Sequence, residues 1–465
     1  MIISKDKGRF AALTLPEPLQ QQLLKQGYRQ MTAIQQATLP YTLKDRDVIA
    51  QAATGSGKTL VFALSILAKI QVQQLRPQSL VLCPTRELVN QVTKVFRQLA
   101  CGTADLKVLS IHGGDHKMLQ QRALEGQAHI VVATPGRLLS LLKAGLLKCH
   151  TLHTLVLDEA DQMLSLGFKE SIDQILEYLP SQRQTLLFSA TFDDAAQALA
   201  DATKSDAVHI QLEQKASSPT VQQINFKVNA QSERLPALRY LLEQYHHDSS
   251  LIFCNTRKAC QQLFEHLNDD GHSVLMLHGG LDQQARNETL LRFANGSCSL
   301  LVTTDVAARG LDIKDLNLVI NYELALQLDT HIHRIGRTGR GQETGLALNL
   351  HTQEEHAKLG ALRSHSSTPI KQKQLPHLLQ DTGAKLRPRM MTLAIAAGRK
   401  NKLRPGDILG ALTRQVGIPG ERIGKIDILD FQSFVAIQTS YADRALAGLV
   451  AGTIKGRKIK VKLLN

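Results

Sequence analysis

The segment DVIAQAATGSGKTLVFALSIL, residues 47–67, constrains the fold more than any other stretch of the chain. A short β-rich run, DVIAQA, passes through a glycine-bearing turn directly into a helical pattern. A strand that hands over to a helix in this way begins a βαβ unit, whose sheet is parallel and covered on both faces. The rhythm continues through SLVLCP, VLSIHGG, HIVVAT, TLVLDEA and QTLLFSAT, each run ending in small or polar residues with amphipathic stretches between. SLIFCNT, VLMLHGG, SLLVTTDV, LVINYE and TGLALNL repeat it further on. The spacing predicts an α/β protein with two parallel-sheet domains in tandem, over residues 1–210 and 218–365. Residues 366–388 are polar and proline-bearing and read as a linker. Residues 389–465 follow a β-α-β-β-α-β order, which predicts a small α+β domain. A chain of 465 residues suits three domains of about 150 residues each.

Charge separates this last region from the rest. The chain carries +14, and residues 383–465, with 16 Lys/Arg against 5 Asp/Glu, hold +11 of it. Such an excess points to an anionic partner. A membrane is the weaker choice, because the longest apolar stretch, around 60–70, falls far short of a span. The amino terminus, MIISKDKGRF, has no apolar signal core, so a cytoplasmic location is expected. The cysteines (83, 101, 149, 254, 260 and 298) form no CxxC pair, and His112, His246, His247 and His266 show no ligand spacing, so neither zinc nor a disulfide scaffold is indicated. Cys254 and Cys260 read as buried thiols. Tryptophan is absent and aromatic content is 4%, so extended base-stacking platforms are scarce.

Three motifs carry chemistry. In ATGSGKT (53–59) the turn aims backbone N–H groups at phosphate oxygens, Lys58 would reach the β- and γ-phosphates, and the Thr59 hydroxyl would ligate Mg²⁺. Ala52 stands where the general P-loop pattern has glycine. In LVLDEAD (155–161), Asp158 would hold Mg²⁺ through water, and Glu159 would position or activate the attacking water. In HRIGRTGR (333–340), Arg337 and Arg340 have the planar, permanently charged forks that suit phosphate, and would act as arginine fingers from the second domain.

Together with what lies between them, these motifs resemble the DEAD-box RNA helicases of superfamily two. The resemblance also rests on GYRQMTAIQ (27–35), PTRELVNQ (84–91), the Gly113–Gly114 pair, TPGR (134–137), SAT (189–191), LIFCNT (251–256), HGG (278–280), Gln283 with Arg286, and TTDVAARGLDI (303–313). Met31 and Ala33 depart from it, standing where many members have proline. It implies two RecA-like domains and ATP as substrate. Gln35 and the isolated aromatic Phe10 would serve the adenine, and Thr54, Gly55, Ser56, Gly57, Lys58 and Thr59 the phosphates. Asp312 would contact the ribose. Arg86, Gly114, Thr134, Gly136 and Arg137 would grip RNA backbone in the first domain. Asn255, Thr256, Gly279, Arg286, Thr303 and Asp305 would do so in the second. Ser189 and Thr191 would couple the acid site to RNA-driven closure, with Asp161 and His333 meeting across the cleft.

The last domain resembles an RNA-recognition-motif fold, as found at the carboxy terminus of one bacterial branch of that family; GRKNKLRPGDILGAL (398–412), IGKIDIL (423–429) and IKGRKIKVKLL (454–464) carry the likeness. It implies recognition of hairpin 92 of 23S rRNA and a role in assembling the large (50S) ribosomal subunit. The ordinary motif stacks bases on aromatics of its two central strands. Here those positions offer Leu393 or Ala394 and Gln432, while Phe434 is expected to point inward or stand alone. Two basic clusters offer a different surface: Arg399, Lys400, Lys402 and Arg404, and Lys455, Arg457, Lys458 and Lys460. The expectation is local unwinding of short rRNA duplexes. An ATP-gated RNA clamp or chaperone without productive unwinding, and a DNA translocase, are the rivals.

Overall fold

The computed structural model describes residues 8–52, 55–113, 128–191, 194–203, 206–212, 221–245, 247–308, 316–339, 345–365, 369–376 and 385–464. Two compact units divide the chain near residue 215.

The first unit is built on β1 (Val48–Gln51), β2 (Ser79–Leu82), β3 (Val108–Ile111), β4 (Ile130–Ala133), β5 (Thr154–Asp158), β6 (Gln184–Ser189) and β7 (Val208–Gln211). They pair in parallel in the order β3-β4-β2-β5-β6-β1-β7. The inner strands are buried along their length, which is why they read as unbroken apolar runs rather than alternating ones. The helix Lys58–Leu67 packs beside them with residues 60–67 all buried. A helix so enclosed has no solvent-facing stripe to carry polar residues, which accounts for its composition.

The second unit repeats the plan with β8 (Gln222–Lys227), β9 (Ser250–Cys254), β10 (Val274–Leu277), β11 (Leu300–Thr304), β12 (Leu318–Asn321), β13 (Leu346–His351) and β14 (Lys371–Lys373). Their order, β10-β11-β9-β12-β13-β8-β14, is that of the first sheet strand for strand. The stretch read as linker supplies β14, which pairs with β8, and Leu386, which is buried in the core of this sheet. Its polar composition suits an edge strand with every residue exposed.

The same unit carries an antiparallel sheet of β15 (Met390–Ile395), β16 (Ile423–Ile428), β17 (Ser433–Gln438) and β18 (Val461–Leu464), ordered β16-β17-β15-β18. Its inner face, with Leu393, Ile395, Val435 and Ile437, packs on the helices at Pro405–Gly410 and Ala442–Ala451. Its outer face is partly covered too. Ala394, Phe434 and Leu464 close over Leu291, which lies on the helix Gln283–Ala294 of the second parallel-sheet domain. The Thr392 hydroxyl bonds Asn295 Nδ2 at 2.9 Å and Ser297 Oγ at 2.8 Å, and Met390 N–H donates to the Gly296 carbonyl at 3.3 Å. Phe434 is thus neither inward nor alone: it sits on the outer face, 5% exposed, used for docking.

Candidate active site

Parallel sheets place their chemistry at the carboxyl ends of the strands. In the first unit three adjacent strands deliver it. Beyond β1 lies the glycine turn, Asp158 ends β5 and Ser189 ends β6. Gly55 (φ 85°) and Gly57 (φ 99°) take the left-handed backbone that lets the turn fold back over the first helical residues. Lys58 opens the helix, is 6% exposed and donates to the Ala52 carbonyl at 2.8 Å. Thr59 follows, half-buried.

The acids lie in the same buried floor. Asp158 is 3% and Glu159 8% exposed. Burial, opposed by Lys58 and reinforced by Glu159, pushes the Asp158 carboxyl up to about 7. Asp158 Oδ1, Glu159 Oε2 and Ser56 Oγ are buried with no hydrogen-bond partner among the described residues. Buried polar atoms are normally satisfied. Asp158 and Glu159 offer hard oxygens of the kind Mg²⁺ takes, and Lys58, which acts on Asp158, offers the positive charge that a polyphosphate takes. Glu159 also holds a left-handed backbone (φ 53°), unusual for a residue with a side chain.

Asp161 is fully engaged. Its Oδ2 accepts from the N–H groups of Ala190 (3.1 Å) and Thr191 (2.9 Å) and from the Thr191 hydroxyl (3.1 Å). Asp161 N–H donates to Ser189 Oγ at 3.3 Å, and that hydroxyl donates to the Thr191 carbonyl at 2.5 Å. The acid strand and the SAT turn therefore share one carboxylate, which the resemblance alone did not specify.

Gln35 is 4% exposed; its Oε1 accepts from Thr32 N–H at 2.8 Å and its Nε2 donates to the Gly57 carbonyl at 3.1 Å. A Cβ at position 57 would fall 2.5 Å from that Nε2. The glycine is required both by backbone conformation and by this approach. Phe10 is 3% exposed and meets Tyr28 edge-on, centroids 6.4 Å apart. Arg86 lies against Gly113, where a Cβ would come 3.0 Å from the guanidinium. Thr134 stands at the amino-terminal boundary of the helix Pro135–Lys143, with Gly136 exposed and Arg137 half-buried in its first turn. These residues follow β2, β3 and β4, so they line up along one sheet edge.

In the second unit the corresponding edge carries Asn255 and Thr256 after β9, Gly279 after β10, and Thr303 and Asp305 at the end of β11. Thr256 caps its helix by accepting from Ala259 N–H, Thr303 donates to the Leu277 carbonyl at 3.0 Å, and Arg286 donates to the His278 carbonyl at 3.4 Å. Arg334, inside the HRIGRTGR motif but given no role from sequence, ties this edge together. It is 1% exposed, forks onto both Asp305 oxygens (2.5 and 2.7 Å), bonds Asn255 Oδ1 (2.6 Å), Asn321 Oδ1 (3.1 Å) and the Glu323 carbonyl (2.6 Å), and lies 5.1 Å from the Phe253 ring centroid. An arginine placed one residue after His333 in a helix was the available signal; its partners are scattered along the chain. Arg337 is buried and His333 half-buried on the same segment. Thr54, Gly114, Asp312 and Arg340 lie outside the described residues.

The basic residues of the last domain border two troughs, of about 590 Å³ and about 610 Å³, that share Ala396, Lys458, Ile459 and Lys460. Lys400, Lys402, Lys455 and Arg457 line the second. Arg399 and Arg404 line neither.

Comparison with known proteins matches this geometry region by region. Residues 32–199 fit the DEAD/DEAH box helicase family, 233–342 the helicase conserved C-terminal domain and 392–463 the DbpA RNA binding domain. The chain is 42% identical over 457 residues to the ATP-dependent RNA helicase DbpA of Escherichia coli (strain K12), covering 98% of this chain and 99% of that one. It is 33% identical to DbpA of Bacillus subtilis (strain 168), covering 94% and 96%. Among solved structures, Saccharomyces cerevisiae Dbp5 bound to RNA and ADP BeF3 aligns at TM-score 0.73 and 30% identity, over 79% of this chain and 96% of that one. The orphaned acid floor and the P-loop fall within the helicase match and the basic clusters within the RNA-binding match, and the chain belongs to the DbpA family of DEAD-box ATP-dependent RNA helicases.

Proposed function

We propose that this helicase uses ATP for local unwinding of short duplexes in 23S rRNA during assembly of the large ribosomal subunit, in the cytoplasm, with its last domain holding hairpin 92. The observation that carries the reading is the basic double trough on a domain matching the DbpA RNA binding domain. Its walls are lysine and arginine, its floor apolar, and the outer sheet face beside it is partly taken by Leu291. RNA is therefore read along the trough by Lys400, Lys402, Lys455, Arg457 and Lys458, with Arg399 and Arg404 beside it.

Lys58 binds phosphate, and the N–H groups of the Gly55–Gly57 turn orient it. Thr59 and Asp158 would hold Mg²⁺, and the ion would supply charge neutralisation on the phosphates. Glu159 accepts the proton of the attacking water. Arg337 and Arg340 meet the developing charge on the transferred phosphoryl group. Arg86, Gly114, Thr134, Gly136 and Arg137 in one domain, and Thr256, Gly279, Arg286 and Thr303 in the other, hold RNA backbone, and such contacts carry no sequence information. Asp161, Ser189, Thr191 and His333 pass RNA binding to the acids. Phe10, Gln35 and Asp312 select the nucleoside.

The test is ATPase activity titrated with 23S rRNA fragments that contain or lack hairpin 92, alongside strand displacement on a short rRNA duplex. The proposal expects stimulation and displacement to depend on the hairpin. Stimulation without displacement would mark a clamp, and equal stimulation by unrelated RNA of the same length would remove the hairpin from the reading.

A further inference from the structure

Phe431 is the one exposed phenylalanine among the described residues, at 68%. It occupies the tip of the hairpin joining β16 to β17, where Leu429 N–H donates to the Gln432 carbonyl at 2.8 Å. That tip is clamped. Arg399 N–H donates to the Leu429 carbonyl at 2.8 Å, Lys400 N–H to the Asp430 carbonyl at 2.9 Å, and the Arg399 guanidinium meets Asp430 at 3.0 Å. The clamp demands a very close backbone approach. A Cβ at Gly398 would fall 2.2 Å from the Leu429 carbonyl oxygen and 2.6 Å from that of Asp430, so only glycine fits. The result is a braced hairpin tip whose phenylalanine is largely exposed, with Arg399 and Lys400 hydrogen-bonded to the tip's backbone.

The surroundings say what that face is for. Gln432, the next residue, lines the trough of about 590 Å³ with Ala394, Ala396, Lys460 and Lys462. Lys400, bonded to the hairpin tip, lines the adjoining one. The aromatic is thus linked to both, through the next residue to the one and through the hydrogen bond of Lys400 to Asp430 to the other. Leu429, two residues back, and Val450 in the first trough are also exposed, but both troughs are walled by lysines, which an apolar protein surface would leave unpaired. A ligand with flat apolar faces strung between negative charges matches both features, and single-stranded RNA has that chemistry. The ring on the central strand β17, Phe434, is already covered by Leu291 and has no face to offer.

Resting on the reading of this domain as an RNA reader, we infer that Phe431 is its base-stacking residue: one unpaired RNA base lies on the ring while Arg399, Lys400 and the Lys458–Lys462 wall take the flanking phosphates. Specificity for a loop over a duplex follows, because only an unpaired base can present a free face.

The absence of tryptophan from the chain makes a direct test possible. Phe431→Trp in the full-length protein is a single-tryptophan reporter, titrated with a hairpin RNA that has an unpaired loop and with the same hairpin made abasic in the loop. The inference expects emission to be quenched by the first and not by the second. Phe431→Ala should bind the intact hairpin about five- to 150-fold more weakly, the loss typical of one base–aromatic stack, with the salt slope unchanged. Lys458→Glu should lower both affinity and salt slope, the slope by about one unit or more. If the Phe431→Trp reporter is not quenched and Phe431→Ala binds normally while Lys458→Glu is weakened, the stacking role is wrong and the RNA-reading domain stands. If Lys458→Glu also binds normally, the reading of the domain itself fails. Emission that changes with protein concentration alone would assign the ring to self-association and overturn the inference.

Discussion

The two parallel sheets run their strands in one order, yet their carboxyl edges are finished in opposite ways. At the first edge Asp158, Glu159 and Ser56 keep buried oxygens without partners among the described residues, and Asp158 is pushed up to about 7. At the second edge Arg334 donates to Asp305, Asn255, Asn321 and the Glu323 carbonyl, which come from three separate stretches of chain. One edge leaves buried polar atoms unsatisfied among the described residues; the other is assembled in advance. A fold that must bind and release nucleotide cannot satisfy its acid floor from within, because a satisfied floor would have nothing to offer the ligand. A surface with the proposed task of gripping a backbone would gain by being rigid beforehand.

The sharpest way to break this contrast is chemical. Glu159→Gln preserves size and hydrogen bonding but removes a base, and RNA-stimulated turnover should fall by about 10²–10⁴-fold while nucleotide binding persists. Single-turnover hydrolysis beside nucleotide affinity checks it, and normal turnover would end the role given to Glu159. Next comes the preassembled edge. Arg334→Met leaves the half-buried Asp305 carboxylate without its partner, so the second unit should lose about 3–5 kcal/mol in denaturant unfolding. Asn255→Ala removes one partner only and should cost less. Equal costs would mean that the guanidinium is not the hub.

The incomplete edge should respond in the other direction. In the ligand-free protein burial pushes the Asp158 carboxyl up from the ordinary carboxylate range to about 7, which favours its neutral form below that pH. A raised carboxyl contributes stability that is present at low pH, is lost progressively above the ordinary carboxylate range, and is gone once pH has risen through about 7. Asp158→Asn should therefore stabilise the nucleotide-free protein at pH 8 by about 1–3 kcal/mol, while removing activity. Thermal unfolding at pH 5 and pH 8 tests this, with the larger gain expected at the higher pH; an equal gain at both would detach it from the titration. The smallest effect lies where the last domain docks. Thr392→Val removes the hydroxyl that Asn295 and Ser297 share and should cost about 1 kcal/mol. Faster amide exchange confined to β15 and the 295–297 turn would report it; no change there would mean that the apolar contact at Leu291 suffices.

Motifs whose chemistry is local were legible from residue order. The glycine turn, the acid pair and the strand rhythm depend on neighbours within a few positions, and backbone sterics and hydrophobic burial act at that range. The tandem sheets and the β-α-β-β-α-β domain follow from the same short-range signals. Tertiary structure decided whatever joins distant segments. Gln35 bonds Gly57, 22 residues away, and Asp161 bonds Thr191, 30 away. Arg334 finds Asn255 at a separation of 79. Phe434 and Phe431 show the limit most plainly. They are the same residue type three positions apart, and one is 5% exposed while the other is 68%. Nothing in their flanking residues says which will be covered, because Leu291 does the covering from another domain, and the other's hairpin tip is braced at Leu429 and Asp430 by the loop at Gly398. Burial is set by what packs across space, and a linear sequence states neighbours along the chain only.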